Sequence, residues 1–309
     1  MQYELIIIGG GPAGAAAGVY AARKQIKTLL ITESWGGQST ESAGIQNWIG
    51  TVEVPGIEFG SLLKKHVSHY AGTFVEMKEN EKVTAITKNG ELFTIKTDKG
   101  EYQSKTALIT TGSTRRKLEL PGAKEYENKG IVYCASCDGP LFAGQDVVVI
   151  GGGNAGMESA AQLLAYCKSV TVLNRSEIFK ADPITVEAVR KHPNARIITN
   201  AVPVEVKGEQ FVNALVYEDA VSKVRHELGV TGVFVEIGLL PTTWFAESTG
   251  VEMTPIKQIK VDPKNQRTSI SGLWAAGDCT DGLFHQNNIA AGDAVKALED
   301  IYLELHKMK

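Results

Sequence analysis

The sequence predicts an α/β protein built from two Rossmann-like domains of the three-layer ββα type. Two glycine-rich turns, at 9–14 and 151–156, each stand between a short apolar run and a helical stretch. A G-x-G-x-x-G pattern indicates dinucleotide binding only in that strand-to-helix context. The chain of 309 residues is also long enough for about two domains.

The first half of the chain contains, in order, a strand, a helix, a second strand, a second helix, an alternating region and a further strand. The pattern predicts strands at 3–8 and 28–32 and helices at 15–23 and 57–70, with Glu33 ending the second strand. Residues 73–105 alternate apolar and polar side chains around the turn signals Asn89-Gly90 and Lys99-Gly100, which predicts an antiparallel meander. Residues 106–110 return to a buried strand.

The second half repeats this order. The predicted elements are a strand at 146–150, a helix at 157–166, a strand at 170–173 and a second meander within 196–236. The end of the chain, 273–278 and a helix from about 287 to 305, has no third glycine turn and is expected to complete the first sheet. The predicted domains are therefore 1–115 with 242–309, and 116–241.

Composition narrows the class of function. With 32 basic and 35 acidic residues the net charge is −3, which argues against a nucleic-acid partner. No apolar run approaches the roughly 20 residues of a membrane span, and the first residues lack the features of a signal peptide. We expect a cytoplasmic protein without a membrane partner, in which a disulfide is catalytic rather than structural.

The first glycine turn has the residues that a dinucleotide requires. Gly9 allows the tight turn, Gly11 leaves room for a pyrophosphate, and Gly14 lets helix and strand pack closely. The amides of the helix N-terminus then face the phosphates. Glu33 follows at about the 20-residue spacing of a carboxylate that holds ribose hydroxyls.

The second turn lacks that carboxylate. Its equivalent glycines are Gly151, Gly153 and Gly156. Asn174 stands at the place of the acidic residue, and Arg175, Ser176 and Lys180 follow it. These side chains favour a nucleotide with a 2′-phosphate, NADPH, over NADH, although a solvated strand end would have the same composition.

A Cys-x-x-Cys pair, Cys134 and Cys137, follows an apolar run. A structural zinc site needs a second close pair of ligands, and the remaining cysteines, Cys167 and Cys279, are isolated, so no metal site is expected. Beside dinucleotide-binding units the pair predicts a redox dithiol. Asp138 adjoins it as a proton donor or acceptor, or alternatively as a helix cap.

Two dinucleotides and one dithiol predict a relay of electron pairs. A nicotinamide would reduce a flavin, the flavin would reduce the disulfide, and the dithiol would reduce a partner through a mixed disulfide.

At this point the sequence resembles a known family, the low-molecular-weight thioredoxin reductases, and more closely the flavoprotein subunit of bacterial alkyl hydroperoxide reductase. The resemblance covers essentially the whole chain. It rests on both glycine turns and on the motifs Gly36-Gly37-Gln38, Gln46-Asn47-Trp48, Tyr133-Cys134-Ala135-Ser136-Cys137-Asp138-Gly139-Pro140, Ile237-Gly238-Leu239-Leu240-Pro241 and Ala275-Ala276-Gly277-Asp278-Cys279.

The resemblance implies a fold of the pyridine nucleotide-disulfide oxidoreductase type, with FAD on the first unit. The residues expected to hold FAD are Gly9, Gly11, Pro12, Ala13, Gly14, Glu33, Gly37, Gln38, Asn47, Gly112, Gly277, Asp278 and Gln286. Those expected to hold the nicotinamide nucleotide are Gly151, Gly153, Asn154, Gly156, Arg175 and Lys180. The resemblance further implies that Cys137 faces the flavin, that Cys134 attacks the partner, that Asp138 is the acid/base, and that the protein is a homodimer.

Two departures from the family bear on function. The hydroperoxide reductase flavoprotein has an extra N-terminal thioredoxin-like domain, whereas this sequence starts directly at the first glycine turn, so we expect that internal relay to be absent and a separate acceptor to be needed. Asn174-Arg175-Ser176 matches neither the His-Arg-Arg run of thioredoxin reductases nor the carboxylate of the hydroperoxide reductases, which leaves NADPH and NADH open.

The function predicted is reduction of thioredoxin, or of a thioredoxin-like or glutaredoxin-like protein, by NAD(P)H through FAD and the Cys134/Cys137 disulfide. The alternatives are an NADH-dependent reductase that feeds a peroxiredoxin system, a ferredoxin-dependent flavin disulfide reductase, a peroxide-forming oxidase and a redox-sensing binder.

Overall fold

The computed structural model describes residues 2–42 and 44–307. The strands are β1 (Gln2–Gly10), β2 (Thr28–Trp35), β3 (Val75–Glu79), β4 (Val83–Asn89), β5 (Leu92–Thr97), β6 (Glu101–Ile109), β7 (Ser113–Arg115), β8 (Ile131–Val132), β9 (Asp146–Ile150), β10 (Ser169–Leu173), β11 (Ala195–Ile198), β12 (Ala201–Gly208), β13 (Val212–Asp219), β14 (Arg225–Gly229), β15 (Gly232–Val235), β16 (Leu239–Pro241) and β17 (Leu273–Ala275). The α-helices are α1 (Pro12–Arg23), α2 (Gly56–Ala71), α3 (Ala135–Asp138), α4 (Asn154–Leu163), α5 (Pro183–Lys191) and α6 (Asn287–Lys307).

The chain forms two compact units. Of the described residues, 2–42, 48–114 and 240–307 belong to the first unit, and 44–47 with 115–239 belong to the second. The chain leaves the first unit in β7 and returns to it in β16, and these two strands pair with each other. The second unit is therefore inserted into the sequence of the first.

The sheet of the first unit has the order β3-β2-β1-β6-β5-β4. β3, β2, β1 and β6 run parallel, whereas β4 and β5 form an antiparallel hairpin on β6. The first half of β6 pairs with β5, and its last residues pair in parallel with β17. The end of the chain thus completes the first sheet.

Both faces of this parallel sheet are buried. On one face Leu5, Ile7 and Leu30 pack against the alanine-rich sides of α1 and α6. On the other face Ile6 and Ile8 pack against the β4–β5 hairpin. Because successive strand residues point to opposite faces, an uninterrupted apolar run suits a strand covered on both sides. The unit has three layers, as predicted.

The second unit repeats this architecture. Its parallel sheet has the order β11-β10-β9-β15-β8, and β12, β13 and β14 form an antiparallel meander. Val147 and Val149 pack under α4 and α5, while Val148 and Ile150 pack under the meander. The predicted fold class, two three-layer ββα domains, is confirmed.

Three local predictions were wrong in detail. Residues 73–105 are not a meander throughout, because β3 joins β2 in parallel and only β4, β5 and β6 are antiparallel. The predicted helix 157–166 begins earlier, at Asn154, since Gly153 is already its N-cap. Glu33 does not end the second strand but lies within β2, which continues to Trp35.

Candidate active site

The first glycine turn joins β1 to α1. Gly9 has φ +119°, and a Cβ there would overlap the carbonyl oxygen of Thr110. Gly14 has equally little room, because a Cβ would overlap the carbonyl oxygen of Gly9. Pro12 begins α1, a position where its missing N–H leaves no hydrogen bond unmade. A side chain is therefore excluded at both ends of the turn.

Gly11 differs from its neighbours, because nothing lies within 4 Å of the position that its Cβ would take. This open side belongs to a cleft of about 510 Å³ within the first unit. Gly37, with φ +55°, approaches Gly11 from across the cleft. Small-molecule sites in proteins have volumes of about 300–1,000 Å³, so the cleft has the size and the glycine surface that a dinucleotide needs.

Most residues predicted to hold FAD line this cleft. They are Gly9, Gly11, Pro12, Ala13, Glu33, Gly37, Gln38, Gly112, Gly277 and Asp278. Gln38 donates from Nε2 to the carbonyl of Ser113 at 2.6 Å, which connects two segments of the wall. The buried Oγ of Ser113 has no hydrogen-bond partner among the described residues. An orphaned hydroxyl in the wall fits a site that is completed by a polar ligand.

Three predicted residues do not line the cleft. Gly14 lies behind the turn, where its role is packing. Gln286 is exposed directly before α6, whose first residue Asn287 does line the cleft and accepts from Ser39 at 2.8 Å. Asn47 groups with the second unit. The roles predicted for these residues remain predictions.

Glu33 lines the cleft and has a cationic neighbour. Lys82 Nζ lies 3.6 Å from its Oε2, and both residues line the cleft. Both side chains are about half exposed, so the pair itself contributes little stability. The cleft thus has a carboxylate in its wall, with a cation beside it.

The second glycine turn, between β9 and α4, has the same geometry. Gly151 has φ +134°, and a Cβ there would overlap the carbonyl oxygen of Glu236. A Cβ on Gly156 would overlap the carbonyl oxygen of Gly151. Gly153, like Gly11, has nothing within 4 Å of its Cβ position. The open space again lies at the N-terminus of a helix, where a pyrophosphate would bind.

The segment after β10 is ordered by Asn174. Its buried amide donates to the carbonyls of Ser176 at 2.9 Å and Ile178 at 3.1 Å, so it closes the loop rather than facing a ligand. Arg175 and Lys180 are exposed, and the Lys180 N–H donates to the carbonyl of Gly152 at 3.1 Å. The loop with these two cations is thus fastened to the glycine turn.

Asn154, also predicted to hold the nicotinamide nucleotide, is the first residue of α4. Its Oδ1 accepts a hydrogen bond from the Asp182 N–H at 2.8 Å, just before α5. The side chain therefore connects two helices of the second unit.

Cys134 and Cys137 form a disulfide, with 5.3 Å between their Cα atoms. Cys134 caps the short helix α3, and the Cys137 N–H donates to its Sγ at 3.1 Å. Both cysteines are partly exposed. A backbone N–H on the sulfur favours the thiolate once the disulfide is reduced, which distinguishes Cys134 from Cys137.

Helix α4 also supports the disulfide. Ser136 donates to Gln162 at 2.9 Å, and Gln162 lies in α4. Asp138 is 7% exposed and ends α3, with its N–H donating to the carbonyl of Cys134 at 3.0 Å. One helix therefore joins the second glycine turn at its N-terminus to the disulfide near its C-terminus.

The other two cysteines are buried and unpaired with each other. Burial raises the pKa of the Cys167 thiol to about 11 and that of Cys279 to about 12. Neither forms a thiolate near neutral pH, so neither competes with the disulfide.

Among residues 2–42 and 44–307, no cluster of three or more His, Cys, Asp or Glu side chains is arranged to hold a metal ion. In the same part of the chain no helix combines the length and the apolar character of a membrane span.

The model of the pyridine nucleotide-disulphide oxidoreductase family matches residues 3–294. The chain belongs to this family. Membership confirms the predicted enzyme class, a flavin- and nicotinamide-dependent oxidoreductase, and the predicted cofactor classes, FAD and NAD(P)H.

Three relatives place the chain within the pyridine nucleotide-disulphide oxidoreductases. It is 38% identical over 296 residues to the NADH dehydrogenase of Bacillus subtilis strain 168, and 39% identical over 297 residues to a subunit of the alkyl hydroperoxide reductase of Pseudomonas aeruginosa. Each alignment covers 96% of this chain and 57% of the relative. The crystal structure of thioredoxin reductase from Streptococcus pyogenes is 31% identical with a TM-score of 0.87, and each chain is 99% covered. The predicted resemblance is confirmed.

Both units of this oxidoreductase contain site residues that no sequence motif identified. Trp244 and Phe245 line the cleft from a part of the chain without a motif. In the second unit the sequence did not identify Glu236, whose backbone carbonyl packs on the second glycine turn and whose side chain is 10% exposed. The sequence does contain a feature that could have identified Glu236 as a candidate site residue, because it is a charged residue directly after the apolar strand Gly232–Val235.

Proposed function

We propose that the protein reduces a protein disulfide with electrons from NAD(P)H, through FAD and the Cys134/Cys137 pair. The observation that carries this proposal is helix α4, which connects an open glycine turn to a redox disulfide within one unit. Bound FAD would supply a two-electron carrier between the nicotinamide and the disulfide. Binding of the cofactors, thiol–disulfide exchange and proton transfer would be carried out by residues of this chain.

The first unit would hold FAD by shape and charge. Gly11 and Gly37 leave the surface free for the pyrophosphate, and the N-terminus of α1 faces it. Glu33 would accept hydrogen bonds from ribose hydroxyls. Lys82 would reduce the electrostatic repulsion between this carboxylate and the phosphates. The amide network of Gln38 and Ser113 would fix the wall.

The dithiol step is a thiol–disulfide exchange. After two electrons and two protons convert the disulfide to a dithiol, the Cys134 thiolate attacks one sulfur of the partner's disulfide and releases the other as a thiolate. Cys137 then attacks Cys134 of the mixed disulfide, which restores the Cys134–Cys137 bond and frees the reduced partner. Asp138 would exchange the protons, and the Cys137 N–H would stabilise the Cys134 thiolate.

The acceptor that we propose is thioredoxin, or a thioredoxin-like or glutaredoxin-like protein. Similarity to a solved thioredoxin reductase over 99% of both chains supports it. The chain spans 57% of the length of two curated relatives, and its acceptor in this proposal is a separate protein. We further propose a cytoplasmic homodimer with domains 1–115 plus 242–309 and 116–241, and with the FAD and nucleotide contacts predicted above.

A second candidate is supply of electrons to a peroxiredoxin system from NADH. It is favoured by the 39% identity to the Pseudomonas aeruginosa alkyl hydroperoxide reductase. The two candidates share the relay and differ in donor and final acceptor. Coupled assays with thioredoxin, and with a thioredoxin-like carrier plus a peroxiredoxin and hydroperoxide, distinguish them.

The test of the proposed function is anaerobic stopped-flow bleaching of the flavin band by NADPH and NADH in parallel. We expect at least one nucleotide to bleach the band rapidly and to support reduction of a protein disulfide. If neither nucleotide bleaches it, the relay from nicotinamide is refuted and a ferredoxin-type donor takes its place. Rapid bleaching without disulfide reduction would instead indicate an oxidase.

The donor preference depends on the loop after β10. Replacing Arg175 by alanine is expected to raise KM for NADPH by about tenfold or more while changing KM for NADH little, because only NADPH offers a 2′-phosphate to the guanidinium. Steady-state kinetics with both nucleotides measure this. Equal changes in the two KM values would show that Arg175 does not bind the phosphate.

A further inference from the structure

We propose that Glu236 positions the nicotinamide half of the dinucleotide on the second unit. The inference rests on the proposed function, since it requires a nicotinamide nucleotide at the second glycine turn. It adds one residue to the binding site that no sequence motif contains.

The backbone of Glu236 packs directly on that turn. Glu236 follows β15, and its N–H donates at 2.9 Å to the carbonyl of Ile150, the residue before the turn. The carbonyl oxygen of Glu236 fills the place that a Cβ on Gly151 would need. The position of Glu236 is therefore fixed relative to the turn.

The carboxyl group is largely shielded from solvent and has two polar partners among the described residues. The side chain is 10% exposed. Its Oε1 accepts from Ser159 Oγ at 2.9 Å, and its Oε2 lies 3.4 Å from Arg115 Nη1. Ser159 lies in the second turn of α4, so the helix that starts at the glycine turn also orients this carboxyl group.

The surroundings of Glu236 include groups that raise and groups that lower the pKa of its carboxyl group. Burial raises its pKa, Arg115 and Ser159 lower it, and Glu158 raises it further. The net direction of the pKa shift is upward. Among the described residues the carboxyl group has two polar partners, Ser159 and Arg115, so its oxygens retain lone pairs that can accept from a further donor.

The sheet order indicates which half of the nucleotide reaches Glu236. The order β11-β10-β9-β15 puts β10 and β15 on opposite sides of β9. Arg175 follows β10 and marks the adenosine side, while the glycine turn after β9 marks the pyrophosphate. A dinucleotide that continues in the same direction passes over the carboxyl end of β15, which is where Glu236 lies.

The nicotinamide half offers suitable donors. Its ribose carries two hydroxyls, and its carboxamide carries an NH₂ group, all of which donate to a carboxylate. Arg115 offsets the negative charge of Glu236 near the pyrophosphate. Glu236 would thus orient the ring without touching the transferred hydride.

The test compares intact nucleotides with fragments that lack the nicotinamide half. Isothermal titration calorimetry would measure NADP⁺ against 2′,5′-ADP, and NAD⁺ against ADP, on the holoenzyme. For Glu236→Ala we expect Kd of the intact nucleotide to rise about tenfold or more and Kd of the fragment to stay unchanged. Glu236→Gln keeps an acceptor oxygen and is expected to recover most of the affinity.

A matched control is Glu187→Ala, which removes an exposed carboxylate on α5 of the same unit and should change neither Kd. Equal weakening of fragment and intact nucleotide in Glu236→Ala would show a merely structural role and overturn the inference. Unchanged binding of both would overturn it as well. Wild-type protein that binds neither probe would overturn the proposed function itself, which is a different result.

Discussion

Replacing Cys134 by serine is expected to remove nearly all reduction of a protein disulfide and to leave reduction of the flavin by the nicotinamide nucleotide intact. The reason is that Cys134 would be the attacking thiolate, stabilised by the Cys137 N–H, whereas the nucleotide acts before the disulfide in the relay. We expect turnover with thioredoxin to fall by about a thousandfold or more. Coupled turnover and single-turnover bleaching, measured on one preparation, separate the two steps.

Two further variants sharpen this result. Cys137→Ser, once reduced, should form a covalent mixed disulfide with the partner, because Cys134 attacks and nothing resolves the bond. Mass spectrometry would identify the adduct and its cysteine. Cys167→Ala, a change at a buried unreactive thiol, should keep full turnover. Retained turnover in Cys134→Ser would refute the proposed relay.

Replacing Gly153 by alanine is expected to lower kcat/KM for the nicotinamide nucleotide by about a hundredfold without unfolding the protein. The backbone at Gly153, φ −89° and ψ 179°, accepts any residue, and nothing lies within 4 Å of the new methyl group. The methyl group would instead occupy the place of the pyrophosphate, and a displacement of about 1 Å costs about that factor. Stopped-flow bleaching and thermal unfolding measure the two effects.

Gly229→Ala is the matched control for this change. Gly229 ends β14 in the same unit, also has nothing within 4 Å of its Cβ position, and lies outside the glycine turn. It should leave kcat/KM unchanged. Chemical reduction of the flavin by dithionite should be normal in both variants. If Gly153→Ala binds the nucleotide as tightly as the wild type, the second turn is not the nucleotide site.

The glycine turns and the cysteine pair were predictable because each depends on a few consecutive residues. Positive φ at Gly9 and Gly151, and the lack of room at Gly14 and Gly156, are requirements that only glycine satisfies. The return of the chain end to the first sheet was predictable because the sequence contains two glycine turns but a further apolar strand and helix at its end. An apolar strand and a helix without their own glycine turn have to join an existing unit.

Strand pairing between distant segments was harder to predict. The alternation in β3 (Val75–Glu79) fits a hairpin as well as an edge strand. Its actual partner is β2, which pairs in parallel, with Thr28 opposite Val75, 47 positions apart (75 − 28). A parallel pair of this kind has no local turn that a sequence motif could reveal. Sequence pattern shows that a residue is in a strand but not which strand lies beside it.

Side-chain partners were the least predictable part of the site. Asn174 stands where a ligand-binding carboxylate was sought, yet its amide closes the loop by hydrogen bonds to Ser176 and Ile178. The acidic residue whose backbone does pack on the second glycine turn is Glu236, which follows another strand and whose carboxylate contacts Ser159 and Arg115. Packing of separate segments brings these groups together, so spacing along one segment cannot reveal them.

The insertion of one unit into the other has a consequence during synthesis on the ribosome. Apart from the short segment 44–47, the second unit is contiguous over 115–239 and can acquire its core as soon as that segment has emerged. The first unit has to wait for β17 and α6, whose Ala294, Leu298 and Ile301 pack into the core that includes α1. We therefore expect the later-encoded nucleotide unit to become protease-resistant first, and the N-terminal helix to remain exposed to chaperones until translation is nearly complete.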